Sequence, residues 1–331
     1  MKRARLVTVS AATLTALTLT LSGCATANDK KPAPEAATQE VAWPRTIDIP
    51  AGAGGEASTL TIEAEPKRIA ALDYESAEVI AELGLADHLV LIPEAVLNPA
   101  LGGHVEELEK VESTFPVAME IQAENVIALN PDLVVMSPRH GNEAPIADVL
   151  QQAGISALQL PDSWSSSKAL ITNIDLIGQA TGGDEQADTL QTEIKEGLKN
   201  EAAESTDDGP RVMVLTNQAG RPFVTAGSAY PIELLGLSGA QNVAAELGID
   251  RTGPISAEQL VQANPDGIVL IDMNGTGDRM FTELLANPAV ASLSAISNEK
   301  VLRVEGRQVQ ALGLTATVDG LSQLTDWVST L

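Results

Sequence analysis

The chain has 331 residues, with 45 Asp and Glu against 20 Lys and Arg, for a formal charge of −25. Such acidity argues against nucleic acid or an anionic membrane surface as a partner. One cysteine, Cys24, excludes an internal disulfide framework, so stability has to come from apolar cores, and the length is enough for about two domains.

In chain order, Lys2, Arg3 and Arg5 precede an uncharged, mostly apolar run from Leu6 to Leu21, the pattern of a secretory signal. The run ends in Leu21-Ser22-Gly23-Cys24. Small residues before a lone cysteine at the end of such a run resemble the lipobox of bacterial lipoproteins. The resemblance implies that Cys24 is lipidated and that residues 1–23 are removed as a signal peptide, shifting the formal charge from −25 to −28 with the loss of those three cations. The alternative is an ordinary signal peptide with an incidental cysteine. No other segment is long and apolar enough to cross a bilayer, so the acyl chains on Cys24 would be the sole attachment. Residues 25–42 are polar, rich in Ala and Pro and without apolar periodicity, which makes 24–45 an anchored, flexible tether.

The folded body is expected to begin at Thr46 with two alternating stretches, TIDI and STLTI, that read as a β-hairpin around AGAGGEA. After Pro66, strands and helices alternate: RIAAL, the helix ESAEVIAELGL, HLVLI, the helix AENVIALN, DLVVMS, the helix IADVLQQAG and SALQL. This predicts a mostly parallel, helix-covered sheet. A long helical run through SKALITNIDLIGQATG follows, with Ser165 to Ser167 available as N-cap, and then a second helix over DEQADTLQTEIKEGLKNEAA. From RVMVLTN a second strand-helix series runs to a C-terminal helix starting near Thr315. The predicted organisation is an N-terminal lobe over 46–162, a connecting helical segment over 163–209 and a C-terminal lobe over 210–331. The fold class is α/β, two similar lobes with mostly parallel sheets joined by a long central helix.

One unit occurs twice. ENVIALNPDLVVM starts at Glu124 and EQLVQANPDGIVL at Glu258, 134 positions on, each a short helix, an Asn-Pro-Asp and an inner strand. The bland explanation is that any two βαβ units look alike, and that each Glu is a first-turn residue favoured by the helix dipole.

Taken with Cys24, PKRIAAL and the central helix, the pair resembles the substrate-binding lipoproteins of iron-complex and cobalamin ABC importers, over nearly all of the chain from Arg68. That resemblance implies a ligand cleft between the lobes, a lipid-anchored monomer on the outer face of the cytoplasmic membrane, and delivery to a permease dimer with its ATPase subunits. It also implies that Glu124 and Glu258 dock on basic pockets of the two permease subunits, an arrangement that a two-fold partner makes physically sensible.

Ligands of open α/β sheets sit at the carboxyl ends of the strands. That rule selects Tyr74 after RIAALD, Arg139 and His140 after DLVVMS, and Trp164 after SALQLPD. In the second half it selects Arg221 in NQAGRPF, Tyr230 in TAGSAYP, Met273 after GIVLID and Arg307 after VLRVEG. Arginine forks suit carboxylate or catecholate oxygens, and aromatics cover flat ligand faces. A ferric siderophore is therefore the favoured cargo. Haem is the alternative, with Tyr74, Tyr230 or His140 as axial ligand; cobalamin is third. A zinc or manganese binder would need convergent ligands, whereas His88, His104 and His140 sit on unrelated elements. No permanent cofactor is expected. No catalytic triad, phosphate loop or His-Glu-x-x-His run is present, so an enzyme is not expected.

Overall fold

The computed structural model describes residues 42–116, 121–139, 143–204, 208–218 and 220–331. Cys24, the signal segment and most of the tether lie outside the described residues, as does His140. Among the described residues, no helix is long and apolar enough to cross a membrane.

The first lobe opens with the expected hairpin, β1 (Arg45–Ile49) against β2 (Ser58–Ile62), antiparallel. Its forked Arg45 donates to Asp184 at 2.7 and 2.8 Å and to the Gln179 carbonyl at 2.8 Å, fastening the hairpin to the central helices. The sheet follows: β3 (Ile69–Ala71), α1 (Tyr74–Glu82), β4 (Leu89–Pro93), α2 (Val105–Leu108), β5 (Ser113–Phe115), α3 (Ala123–Ile127), β6 (Leu133–Met136), α4 (Glu143–Gln152) and β7 (Ser156–Gln159). All its pairings are parallel, in the order β5-β4-β3-β6-β7.

Two helices lead out of this lobe, α5 (Ser167–Thr181) and α6 (Asp184–Glu201). The N-cap of α5 is Ser166, whose hydroxyl accepts from Ala169 N at 3.2 Å, and Gly182 ends the helix in the left-handed region at φ 80°. The second lobe comprises β8 (Arg211–Gln218), β9 (Arg221–Val224), α7 (Tyr230–Leu237), β10 (Gln241–Asn242), β11 (Gly253–Pro254), α8 (Ala257–Ala263) and β12 (Gly267–Asp272). The short helices α9 (Thr282–Ala286), α10 (Pro288–Ala291) and α11 (Ser294–Ser297) follow, then β13 (Val301–Glu305), α12 (Gly306–Val309) and α13 (Ala316–Val328). Here β8, β12 and β13 are parallel, while β9 and β11 add antiparallel strands at the other edge. The fold is thus α/β, with two similar lobes, and their sheets are mostly parallel.

Strand alternation decides which side chains meet. Ile69, Ala71, Leu133 and Val135 of the first sheet and Val212, Val214, Val269 and Ile271 of the second belong to one continuous buried cluster, together with Ile174, Ile194 and Leu321 from α5, α6 and α13. The intervening residues face outward in separate clusters, Ala70, Val134 and Met136 under α3 and α4, and Met213, Leu215, Ile268 and Leu270 under the second lobe's outer helices. The lobes therefore share a core. Separating them would expose apolar surface at roughly 25 cal/mol per Å².

The duplicated unit has a structural explanation. In the first lobe Asp132 accepts Lys67 N at 2.8 Å and Arg68 N at 3.0 Å, while the Arg68 side chain donates to the Asn130 and Leu129 carbonyls at the end of α3. In the second, Asp266 accepts Arg211 N at 2.9 Å, and Arg211 donates to the Asn264 and Ala263 carbonyls at the end of α8. Both asparagines adopt the left-handed conformation, φ 49° and 42°, that ends the helix before Pro. Each Asn-Pro-Asp is a clasp between a helix end and the start of the neighbouring strand.

Candidate functional site

The site is built at the carboxyl end of β3. Asp73 leaves that strand and N-caps α1, its carboxylate accepting Ser76 N at 2.8 Å. The same carboxylate takes Ser137 N at 2.9 Å, from just after β6, and the Trp164 indole N–H at 3.1 Å. Asp73 is buried, so three donors and a helix N-terminus stand in for lost water around its charge.

On this base sits an aromatic-cationic pair. Arg139 lies over the Tyr74 ring with its Cζ 4.6 Å from the centroid, a cation–π geometry. Its Nη2 donates to both Glu75 carboxylate oxygens at 2.7 Å. Glu75 is only 8% exposed along its side chain and Arg139 29%, so the carboxylate is the inner partner and the guanidinium the outer one. Burial pushes the Glu75 carboxyl up, against the pull of Arg139. Burial also opposes the charge on Arg139, yet Glu75, Asp73 and Tyr74 together hold it above its ordinary value. Burial raises the Tyr74 phenol, with Arg139 acting against it.

Beyond Glu75 the guanidinium interacts with the Tyr74 side chain, and Arg139 Nε and Nη1 have no carboxylate partner among the described residues. Tyr74, Arg139 and Trp164, all selected by the strand-end rule, thus come together, joined by Asp73 and Glu75, which that rule does not select. The N-cap spacing Asp73-x-x-Ser76 after an apolar strand was the available signal.

Beside this cluster, α1 carries a second buried acid. Glu78 is 1% exposed, accepts Gly103 N at 3.1 Å through Oε2, and has no partner for Oε1. A Cβ on Gly102 would lie 1.9 Å from the Val96 carbonyl and 2.8 Å from Glu78 Oε1, so the turn over Glu78 requires glycine. Burial raises the Glu78 carboxyl to about 7, its bonds to Gly103 and the nearby His104 acting the other way. His104, a weaker sequence candidate, is paired with Glu82 at 2.7 Å, and that bond raises its imidazole.

The same turn reaches the other lobe. Ala100 O accepts Arg307 N at 2.9 Å, and a Cβ on Gly306 would lie 2.5 Å from Leu101 Cδ2. The carboxyl-end loops of the two sheets therefore touch where β4 and β13 run out. In the second lobe Met273 N donates to Asn217 Oδ1 at 2.8 Å, and Met273 Sδ accepts from Gln310 at 3.7 Å. Asp272 gathers the N–H groups of Asn274, Thr276 and Gly277 at 3.0, 3.2 and 2.5 Å; burial opposes its charge, but these donors hold the carboxyl below its usual range. A cavity of about 460 Å³ opens there, between Asp272, Arg303, Glu305 and Gln308.

The remaining sequence candidates are placed differently. Arg307 is an exposed side chain bonded to its neighbour Glu305 at 2.8 Å. Arg221 begins β9, where a loop was expected, with its Cζ 5.3 Å from the Phe223 ring. Tyr230 is 2% exposed at the start of α7; its hydroxyl meets Thr317 Oγ1 at 3.2 Å, and burial pushes the phenol up to about 12. Trp164 is also buried, its indole spent on Asp73. Glu124 and Glu258 are exposed in the first turns of α3 and α8. Among the described residues no group of His, Cys, Asp and Glu converges for a metal ion.

This architecture has relatives. A family model for periplasmic binding proteins matches residues 69–307. The chain is similar to the uncharacterized ABC transporter substrate-binding lipoprotein YvrC of Bacillus subtilis (strain 168), 31% identical over 261 residues, 76% of each chain. It is similar to the ferric-anguibactin-binding protein FatB of Vibrio anguillarum, 25% identical over 303 residues, 87% of this chain and 86% of that one. Among solved structures, the periplasmic heme-binding protein RhuT from Roseiflexus sp. RS-1 in apo form superposes with a TM-score of 0.67 at 20% identity, covering 80% of this chain and 98% of its own, a likeness of fold. With the matched model spanning both sheets and the loops between them, the chain belongs to the periplasmic binding protein family and is a solute-binding protein of the ABC-importer type.

Proposed function

We propose that the protein is a lipid-anchored receptor on the outer face of the cytoplasmic membrane that captures an iron complex, a ferric siderophore, and hands it to an ABC permease. The observation that carries this reading is the Tyr74–Arg139 pair. A ring at the carboxyl end of β3 supports a guanidinium held through one nitrogen by Glu75, with no carboxylate on the other two among the described residues. Such a guanidinium donates to anionic oxygens in a fixed direction, and the ring covers an apolar ligand face. The relative FatB is named for ferric anguibactin, which supports the siderophore class.

Arg139 and Tyr74 are assigned to the ligand, with His140 beside them in the chain. Arg221, Met273 and Arg307 are assigned to its other face, and Trp164 and Tyr230 support the site from beneath. The iron complex is cargo, and no resident cofactor and no catalysis are assigned. Cys24 is assigned as the acylated residue and Glu124 and Glu258 as the permease contacts of a monomeric receptor.

Haem is the second reading, favoured by the Tyr74 phenol lying against the Arg139 guanidinium, the one neighbour that would offset an iron-bound phenolate against the burial and the acids Asp73 and Glu75 that oppose it. The test is retention of ligand by the purified mature chain through gel filtration, after mixing with a ferric catecholate chelate or with haem. The siderophore reading expects the chelate to be retained and Arg139→Ala to lose it. A haem absorption band that Tyr74→Phe abolishes would give the assignment to haem. Retention of neither would remove the iron-complex reading.

A further inference from the structure

A second concavity lies away from the strand ends, between α5, α6 and the end of α7, with a volume of about 560 Å³. Its floor is apolar, including Ile171, Leu198 and Leu237, and its rim carries Lys168, Lys195 and Lys199. The described residues contain six lysines, 67, 110, 168, 195, 199 and 300, so half of them line this one groove in a chain of formal charge −25.

None of these three lysines is committed to an ion pair, a state shared among the described residues by Lys110, Lys300, Arg221, Arg251 and Arg279. Arg45, Arg68, Arg139, Arg211, Arg303 and Arg307 each form an ion pair. Among the described residues, Lys168, Lys195 and Lys199 form none, and only Lys195 has a side-chain bond, to Gln191 at 3.2 Å. Lys195 and Lys199 stand one helical turn apart, where like charges repel and cost stability. The one acid in the lining, Glu233, turns both oxygens to Ser167, accepting its backbone N–H at 2.8 Å and its hydroxyl. That carboxylate fixes the start of α5 and forms no ion pair with the lysines.

We propose that this groove binds a single anionic amphiphile, its alkyl chain over Ile171, Leu198 and Leu237 and its carboxylate, sulfate or phosphate head among the three lysines. An apolar trough rimmed by cations is the complement of such a molecule: burying the chain removes apolar surface from water, and the head relieves the repulsion between the lysines. An acidic bilayer is a poorer occupant. The Debye length is about 8 Å at physiological ionic strength, so one bound head feels mainly the lysines at contact distance. A charged sheet would meet the acidic surface of the whole molecule.

The test is calorimetry on the mature chain with dodecanoate and dodecyl phosphate, each below its critical micelle concentration, beside dodecyl maltoside as a neutral head on the same chain. Both anions are expected to bind, one molecule per chain, and the neutral detergent to bind at least about tenfold more weakly. Lys195→Glu with Lys199→Glu is expected to weaken the anions by about tenfold or more while the far-UV spectrum and Tm stay unchanged, since both side chains are exposed. Equal binding of the neutral detergent, or undiminished binding by the charge-reversed variant, would overturn the proposal. Lysine-dependent sedimentation with vesicles of acidic phospholipid, or capture of an acidic peptide, without binding of the single amphiphiles would also overturn it. The readout does not pass through the strand-end loops, so it stands apart from the fate of the iron-complex reading.

Discussion

The two lobes are most alike behind their central strands and least alike in front of them. Behind, Arg68 and Arg211 clasp the ends of α3 and α8 through the same carbonyl pattern, and Asp132 and Asp266 take the strand N–H groups. In front the geometry is again parallel, since Ser137 N bonds Asp73 and Met273 N bonds Asn217, each just past the inner strand. The chemistry there diverges. Asp73 is charged, caps a helix and holds an indole; Asn217 is neutral, and its amide reaches Asp272 and Thr276 at 3.4 Å. Fold symmetry accounts for the repeated residues, and the asymmetry at the strand ends is where a ligand would be told apart.

The sharpest way to break the comparison is to remove the paired acceptors. Asp73→Ala leaves three buried donors unmatched and is expected to cost about 3–5 kcal/mol, against about 1–3 kcal/mol for Asn217→Ala, by urea denaturation. Equal losses would mean that the two strand ends are equivalent after all.

The arginines give the next contrast. Arg139→Ala leaves Glu75 buried without its cation and is expected to cost about 3 kcal/mol. Arg307→Ala breaks a pair in which both side chains are about half exposed, worth about 0–1 kcal/mol in the same assay.

The pH dependence carries a sign that can be checked. Glu78 has a folded pKa of about 7, raised by burial above its ordinary 4.5. Its contribution is therefore fully present below about pH 4.5 and is lost as pH rises through about 7. His104, raised by Glu82, also loses its contribution as pH rises through its folded pKa. Stability is expected to fall by on the order of 1–3 kcal/mol across that window, and Glu78→Gln is expected to flatten the fall. A variant with the same slope as the parent would remove Glu78 from the account.

The smallest effect is expected at the repeated glutamates, where Ala in place of Glu124 or Glu258 should leave the urea midpoint unchanged. If they serve the permease, both changes lower transport in a reconstituted importer and leave ligand affinity intact. Normal transport by the double variant would reduce them to helix-start residues.

Much of this fold was legible because period and punctuation were local. Alternation in TIDI and STLTI, short apolar strands between helices, Ser166 before α5 and Asn-Pro before each inner strand all act within a few residues. What was not legible depended on distant partners. Strand β9 contains Pro222 and follows a polar turn, so it reads as loop until β8 and β11 pair with it. Trp164 and Tyr230 read as exposed ligand contacts because an aromatic with a polar tip suits either a site or a core. Their partners Asp73 and Thr317 lie 91 and 87 positions away and settle them inside. Arg139 was readable as a residue of a strand-end loop, but its grip by Glu75, 64 positions back, was not.

The most direct measurement is a crystal structure of the mature chain loaded with a ferric siderophore. Ligand oxygens are expected within hydrogen-bond reach of Arg139 Nε or Nη1, with an apolar ligand face on the Tyr74 ring and the Glu75–Arg139 bonds intact. A ligand seated without contact to Tyr74 or Arg139, or one that pulls Arg139 off Glu75, would contradict that expectation.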